Sequence, residues 1–277
     1  MKIYEIVDEE NNISIGVLLF YEKERTFIIE LQEGLDEWTT PLLLTSYVKK
    51  GIHTIPRDIS LLWVKERIIP SGRQNIGSIL NTHRLKEYDE MRFLELSNGR
   101  CSQDSLYIKK LDKLPTYVIN RQNRNLSDCT PISDSSLLCF FADNTVRKTN
   151  LGNLFETKDK VIDIYPSIKS EIDKILRYPD LFSSCKVGTG GYFVSFNDSI
   201  DIPSSLLYDT GELIPLTPDD FFSFAKKNLL DTTQCSDILE CSRQNISYMV
   251  QQGQLSPIKE NVKGNLYSYG EVLKNKW

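Results

Sequence analysis

Histidine is nearly missing from this chain: His53 and His83 are the only two in 277 residues. A three-histidine metal site is therefore excluded, and a histidine-based catalytic triad must use one of these two. The six cysteines, at 101, 129, 139, 185, 235 and 241, form no C-x-x-C pair and follow no zinc-finger spacing. They read as reduced thiols, not as metal ligands or a disulfide framework. Long apolar runs are also missing. Stretches such as Ile15 to Tyr21 are too short to span a bilayer, and the N-terminus enters acidic sequence by Asp8-Glu-Glu10, unlike a secretory leader. A cytoplasmic protein without a membrane partner is expected. The net charge of −5 argues against a protein that coats nucleic acid by charge alone. No carboxylate pair, metal cluster or nucleophile motif stands out, and the nearest approach, His83 with Asp89, requires both in one pocket. Neither an enzyme nor a cofactor is expected.

What is present is ordinary for a folded chain, with 40% hydrophobic and 26% charged residues, and the length exceeds the common single-domain size. The fold class reads as α+β and multidomain. Residues 1–113 open with strand-like runs at Lys2–Val7, Ile13–Tyr21 and Thr26–Leu31, rich in β-branched and aromatic residues, which predict an antiparallel meander. Helical patterns follow at Pro41–Val48, closed by Gly51, and from Arg57 to Arg67. Arg67, Arg73, Gln74, Asn75 and Arg84 offer a set of groups for an anion or a base. However, Gly72 and Gly77 are followed by Ser78-Ile79, so the lysine of a phosphate-cradling loop is lacking. A turn leading into a packed helix at Ile76, Ile79 and Leu80 is the simpler reading.

Periodicity fails from 114 to 134, where Pro115, Asn120 to Asn125 and Pro131 read as a linker. Residues 135–212 show a hairpin turning at Ala142-Asp-Asn144, a helix from Pro166 to Leu176, and a second hairpin turning at Gly188 to Gly191. The order F-A-D-N-T-V-R, then L-F, then G-Y-F-V-S-F-N-D-S-I-D-I and L-L-Y resembles a small bacterial α+β domain of unassigned function that is sometimes joined to helix-turn-helix modules. That resemblance implies no chemistry. A connector helix at 213–228 carries Phe221, Phe222 and Phe224, which are expected to seat the C-terminal region.

Residues 229–277 carry the most specific pattern. Asp231 is placed to cap a first helix with Gln234 three residues on, and Cys235, Ile238 and Leu239 share one face. Glu240 and Cys241 form a break. Ser242 then caps a second helix in which Ile246, Met249 and Val250 repeat the apolar stripe, and Gly253 stops it. At about 100° per residue, Gln244, Tyr248 and Gln251 fall opposite the buried side, with Ser247 and Gln252 beside them. That face holds amides, hydroxyls and one ring, and no acid, whereas a helix needing only solubility more often carries Glu and Lys. Two short strands around a Gly-Asn turn follow, then a short final helix with Val272 and Leu273 inward.

The motifs D-T-T-Q, S-R-Q-N-I and Q-G-Q-L resemble the small winged helix-turn-helix of the MerR and excisionase families, over about the last fifth of the chain. The chain departs from those families at Cys235, where Ala is usual, and in having few basic residues. The resemblance implies binding to double-stranded DNA, with Gln244, Ser247, Tyr248 and Gln251 at base edges and Ser242, Arg243, Lys259 and Lys263 at phosphates. Residues 229–277 hold five cations (Arg243, Lys259, Lys263, Lys274, Lys276) against five anions (Asp231, Asp237, Glu240, Glu260, Glu271), so one copy is expected to bind weakly. A homodimer reading two half-sites follows. The functional expectation is a transcription regulator or a mobile-element accessory factor, with any protein partner met by the N-terminal or middle domain. The alternative is a protein-interaction adaptor that uses the same element for protein contacts.

Overall fold

The computed structural model describes residues 1–133, 135–154, 168–213, 218–262 and 264–277, and it divides into two compact units, Met1–Val118 and Ile119–Trp277. The architecture is mixed α+β with several antiparallel sheets. Among the described residues no helix is long and apolar enough to cross a membrane.

In the first unit, β1 (Lys2–Asp8), β2 (Ile13–Tyr21) and β3 (Thr26–Leu31) form the meander that the sequence predicts. Their apolar side chains, among them Ile6, Ile15, Leu18, Phe27 and Ile29, are buried, and because burial is continuous from Ile15 to Tyr21 and from Phe27 to Leu31, side chains of both faces of β2 and β3 are covered. The β1/β2 register slips where Ile6 faces Gly16 and Val7 faces Ser14. On its other side, a Cβ at Gly16 would meet the Glu30 carbonyl oxygen of β3 at 2.2 Å, so only glycine lets β2 and β3 pass this closely. Beyond β3 come α1 (Leu42–Lys49), β4 (Thr54–Ile55) and α2 (Arg57–Lys65), whose Trp63 and Val64 enter the core. The Ser60 hydroxyl on α2 accepts the Ile29 N–H at 3.0 Å and ties helix to sheet. α3 (Ile76–Thr82), α4 (Glu90–Leu96) and β5 (Leu106–Leu111) complete the unit, and the sheet order is β4-β3-β2-β1-β5.

The anion cluster considered from the sequence does not assemble. Arg67 turns inward, its guanidinium 3.8 Å from the Trp63 ring and paired with Asp104, while Arg73, Gln74, Asn75 and Arg84 stand exposed. Asp89 is likewise engaged: it accepts the Arg92 N–H at 2.8 Å as the cap of α4 and lies 3.3 Å from Arg25, while His83 is exposed at the end of α3.

The boundary between the units falls within α5 (Thr116–Gln122). β6 (Leu126–Pro131), β7 (Ser136–Phe141) and β8 (Val146–Asn150) follow, so the stretch read as a linker at 114–134 holds a helix and a strand. The misreading has a physical cause. Leu126 and Cys129 enter the core, but Asp128 and Thr130 are also buried, so no apolar-polar alternation marks the strand. Next come α6 (Ile168–Arg177), α7 (Pro179–Ser183), β9 (Cys185–Val187), a 3-10 turn at Thr189–Gly191, β10 (Phe193–Phe196), β11 (Ile200–Pro203), α8 (Ser204–Thr210) and β12 (Glu212–Leu213). Two sheets result, β12-β8-β7-β6 and β11-β10-β9. The first hairpin turns at Asn144, φ +66°, a conformation its short amide side chain tolerates.

The chain then runs through α9 (Pro218–Asn228), β13 (Leu229–Leu230), α10 (Thr232–Leu239), α11 (Arg243–Gln251), β14 (Lys259–Val262), β15 (Gly264–Ser268) and α12 (Tyr269–Lys274). β13 pairs with β15, making a three-stranded sheet where the sequence suggested two strands. Of the connector aromatics, Phe224 packs on Phe140 of β7 with ring centroids 4.6 Å apart, and the side chains of Phe221 and Phe222 lie outside the described residues. α12 serves two cores with adjacent residues. Val272 joins Leu230, Cys235, Ile246, Leu255 and Tyr267, whereas Leu273 joins the larger core around Cys129, Leu137 and Phe196.

Candidate nucleic-acid interface

Two capped helices define the site. In α10 the Asp231 carboxylate accepts the Gln234 N–H at 2.8 Å, and the Gln234 side chain returns to accept the Asp231 N–H at 2.9 Å. This reciprocal pair satisfies donors that the first helical turn leaves open. Cys235 beneath it is buried, and burial pushes its thiol up to about 11, as expected for a packed, unreactive sulfur. α10 ends at Glu240, held left-handed at φ +52°. The Cys241 N–H then donates to the Ser236 carbonyl at 3.1 Å, and the Ser236 hydroxyl donates to the Cys241 carbonyl, closing the turn.

The Ser242 hydroxyl accepts the Asn245 N–H at 3.2 Å and starts α11. Ile246 is fully buried in the small core, and Gly253 stops the helix at φ +69°. Gln244, Ser247, Tyr248, Gln251 and Gln252 are all exposed, with Tyr248 at 56%. Ser247 donates its hydroxyl proton to the Arg243 carbonyl at 3.3 Å, so its outward capacity is that of an acceptor. Ser242 and Arg243 are exposed at the start of the same helix.

The hairpin follows with Lys259 opposite Leu266 and the Ile258 N–H donating to the Leu266 carbonyl at 2.7 Å. Lys259 is exposed, and Lys263 lies outside the described residues. The segment between α11 and β14 is fastened to α12, where Glu271 accepts the Ser256 N–H at 3.0 Å and the Asn275 amide donates to the Gln254 carbonyl at 3.0 Å. One helix thus fixes both the exit of α11 and the base of the hairpin.

A group that sequence reasoning missed anchors this assembly. Asp128 of β6 is buried, and one of its carboxylate oxygens accepts the Ser268 hydroxyl at 3.0 Å and the Gly270 N–H at 2.9 Å. Its other oxygen accepts the Cys129 N–H at 3.0 Å. Burial pushes the carboxyl up to about 6, against the opposing pull of these three donors and of the Lys274 ammonium. Gly270 is part of the fit, because a Cβ there would lie 1.9 Å from the Ser127 carbonyl oxygen. At the entry side, the Lys227 ammonium on α9 donates to the Ser183 carbonyl at 2.9 Å and to the Cys185 carbonyl at 3.3 Å. The two-helix element is therefore fastened to the rest of its unit before its first strand and at its last helix.

Among the described residues no group of three or more His, Cys, Asp or Glu side chains is arranged to hold a metal ion. No protein-family model, curated protein or solved structure matches this chain.

Proposed function

We propose that this chain binds double-stranded DNA in a sequence-specific manner, as a transcription regulator or an excisionase-like accessory factor, with residues 229–277 acting as a winged helix-turn-helix. One observation carries the reading. The outward face of α11, made of Gln244, Ser247, Tyr248 and Gln251, is left exposed while its opposite face supplies the core through Ile246. A helix held from behind with its amides and the Tyr248 side chain exposed suits a major groove, whose base edges present both donors and acceptors. In this reading Ser242, Arg243, Lys259 and Lys263 meet phosphates. Because cations and anions balance in residues 229–277, a homodimer on two half-sites supplies the affinity that one copy lacks.

Selection of the full chain against random duplex DNA at stated salt tests the proposal. Enrichment of a defined site, with non-specific binding weaker by about 10³-fold or more, is the expected result. Failure to enrich any duplex sinks it. The second reading, an adaptor that docks protein through the same element, is favoured by two exposed apolar side chains, Tyr248 at 56% and Ile258 at 54%. Under that reading the selection returns nothing.

A further inference from the structure

We infer that the base pairs read by α11 are predominantly A·T, an inference that rests on the DNA-binding reading and names its substrate class. In the major groove, guanine shows two acceptors that call for Arg or Lys, and cytosine shows a donor that calls for Asp or Glu. Adenine shows an acceptor beside a donor, which Gln or Asn matches with both of its amide atoms, and thymine adds a methyl group that favours apolar contact.

The outward inventory of α11 can be set against that code. With Ile246 at the centre of the buried side and successive residues about 100° apart, Gln244, Tyr248 and Gln251 point most directly outward, with Gln252, Ser247 and Asn245 beside them. All six are exposed. Four of the six are amides, each able to give and accept at one adenine. Tyr248 offers a ring face to a thymine methyl. The Ser247 hydroxyl donates its hydrogen bond to the Arg243 carbonyl and offers only its lone pairs outward, which suits the exocyclic amino group of adenine, or of cytosine. The outer face holds neither a guanidinium nor an ammonium to take the two guanine acceptors, and no carboxylate to take the cytosine donor. The one cation of the helix, Arg243, sits in its first turn about 60° from the buried centre on the same construction. That flank faces a strand backbone better than the floor of a groove.

Selection with the full chain, followed by titration of single-pair variants of the enriched site, tests this. Positions under α11 are identified by repeating the selection with Gln244→Arg and Gln251→Arg. Both sites are exposed, and unchanged far-ultraviolet dichroism and melting temperature show that the variants remain folded. The expected result is an enriched half-site dominated by A·T at those positions. Replacing one such pair by G·C should weaken the parent by about 5- to 150-fold, and each arginine variant should turn one position to guanine. Enrichment of G·C pairs at those positions, or arginine variants that keep the parent preference, overturns the inference while leaving DNA binding intact. If no duplex is enriched, the DNA reading itself falls and takes this inference with it.

Discussion

Asp128 and Gln244 are both polar residues of the C-terminal unit, and the fold treats them in opposite ways. Asp128 is buried on β6 with three donors on its carboxylate, whereas Gln244 stands exposed on α11. A buried polar group is costly unless fully partnered, and once partnered it fixes one arrangement of the elements that meet at it. An exposed amide costs little and remains available. The contrast separates what positions the two-helix element from what that element offers, and each half of it can be tested by substitution.

The largest effects are expected at the buried anchor. Asp128→Ala leaves the Ser268 hydroxyl and the Gly270 N–H without their acceptor, at about 1–3 kcal/mol for each group left unsatisfied. Gly270→Ala drives a methyl group into the Ser127 carbonyl, and overpacking of this kind costs about 1–3 kcal/mol or more. Urea unfolding measures both. Hydrogen exchange should show faster exchange at Gly270 and along β15 in both variants. Unchanged stability in both would mean that the anchor is incidental.

The same carboxyl should give stability a pH dependence of recognisable sign. Burial holds Asp128 at about 6, above the ordinary carboxylate value, so the folded state binds this proton more tightly than the unfolded chain does. The resulting stabilisation is fully present below the ordinary carboxylate range and is lost as pH rises through about 6. Asp8, Glu95 and Asp143, which their hydrogen-bond donors hold below the usual range despite burial, act in the opposite direction as pH falls. The contribution of Asp128 therefore emerges only by comparing the parent with Asp128→Asn between about pH 4 and 8. The parent should lose stability relative to the variant across the lower half of that window, by an amount on the order of a few kcal/mol, and the two should run parallel above about pH 6. Equal slopes for the two proteins would remove Asp128 as the titrating group.

This division also explains what was legible in the sequence. The caps at Asp231 and Ser242, the stop at Gly253 and the inward placement of Ile246 were legible because capping and helical periodicity are local, acting over three or four residues. The meander of the first unit was legible because its β-branched and aromatic runs are joined by short polar turns. Asp128 was not. Its partners lie 140 and 142 residues away, and its neighbours Ser127 and Thr130 gave the strand a polar look that resembled a linker. The pairing of β13 with β15 was equally hidden, because Leu229-Leu230 is too short for alternation to register.

Smaller and more selective effects are expected on the exposed half. Gln244→Ala should leave stability within about 0.5 kcal/mol of the parent and relax preference at about one base pair, by roughly 1–3 kcal/mol there. Lys259→Ala should weaken binding to all sequences alike and reduce the slope of affinity against salt by about one contact. A set of titrations over selected and scrambled duplexes at two salt concentrations distinguishes these patterns. If Gln244→Ala lowers stability as much as Asp128→Ala does, the two halves are not separable.

The smallest expected change lies in the turn between the helices, where Glu240 occupies a left-handed conformation at φ +52° that favours glycine. An L-residue held there pays about 1 kcal/mol of steric cost, and glycine removes it while giving the unfolded chain more freedom, an opposing loss of roughly 0.5–1 kcal/mol. Glu240→Gly should therefore move stability by less than about 1 kcal/mol in either direction. Its clearer consequence is electrostatic. The substitution removes one of the five acids of residues 229–277 and leaves the five cations in excess, so affinity for any duplex should rise slightly, with the gain shrinking as salt is added. The pattern of base preference should stay fixed, because Glu240 lies outside α11 and its outward face. A change in that pattern would mean that the turn, and not only the face, contributes to reading.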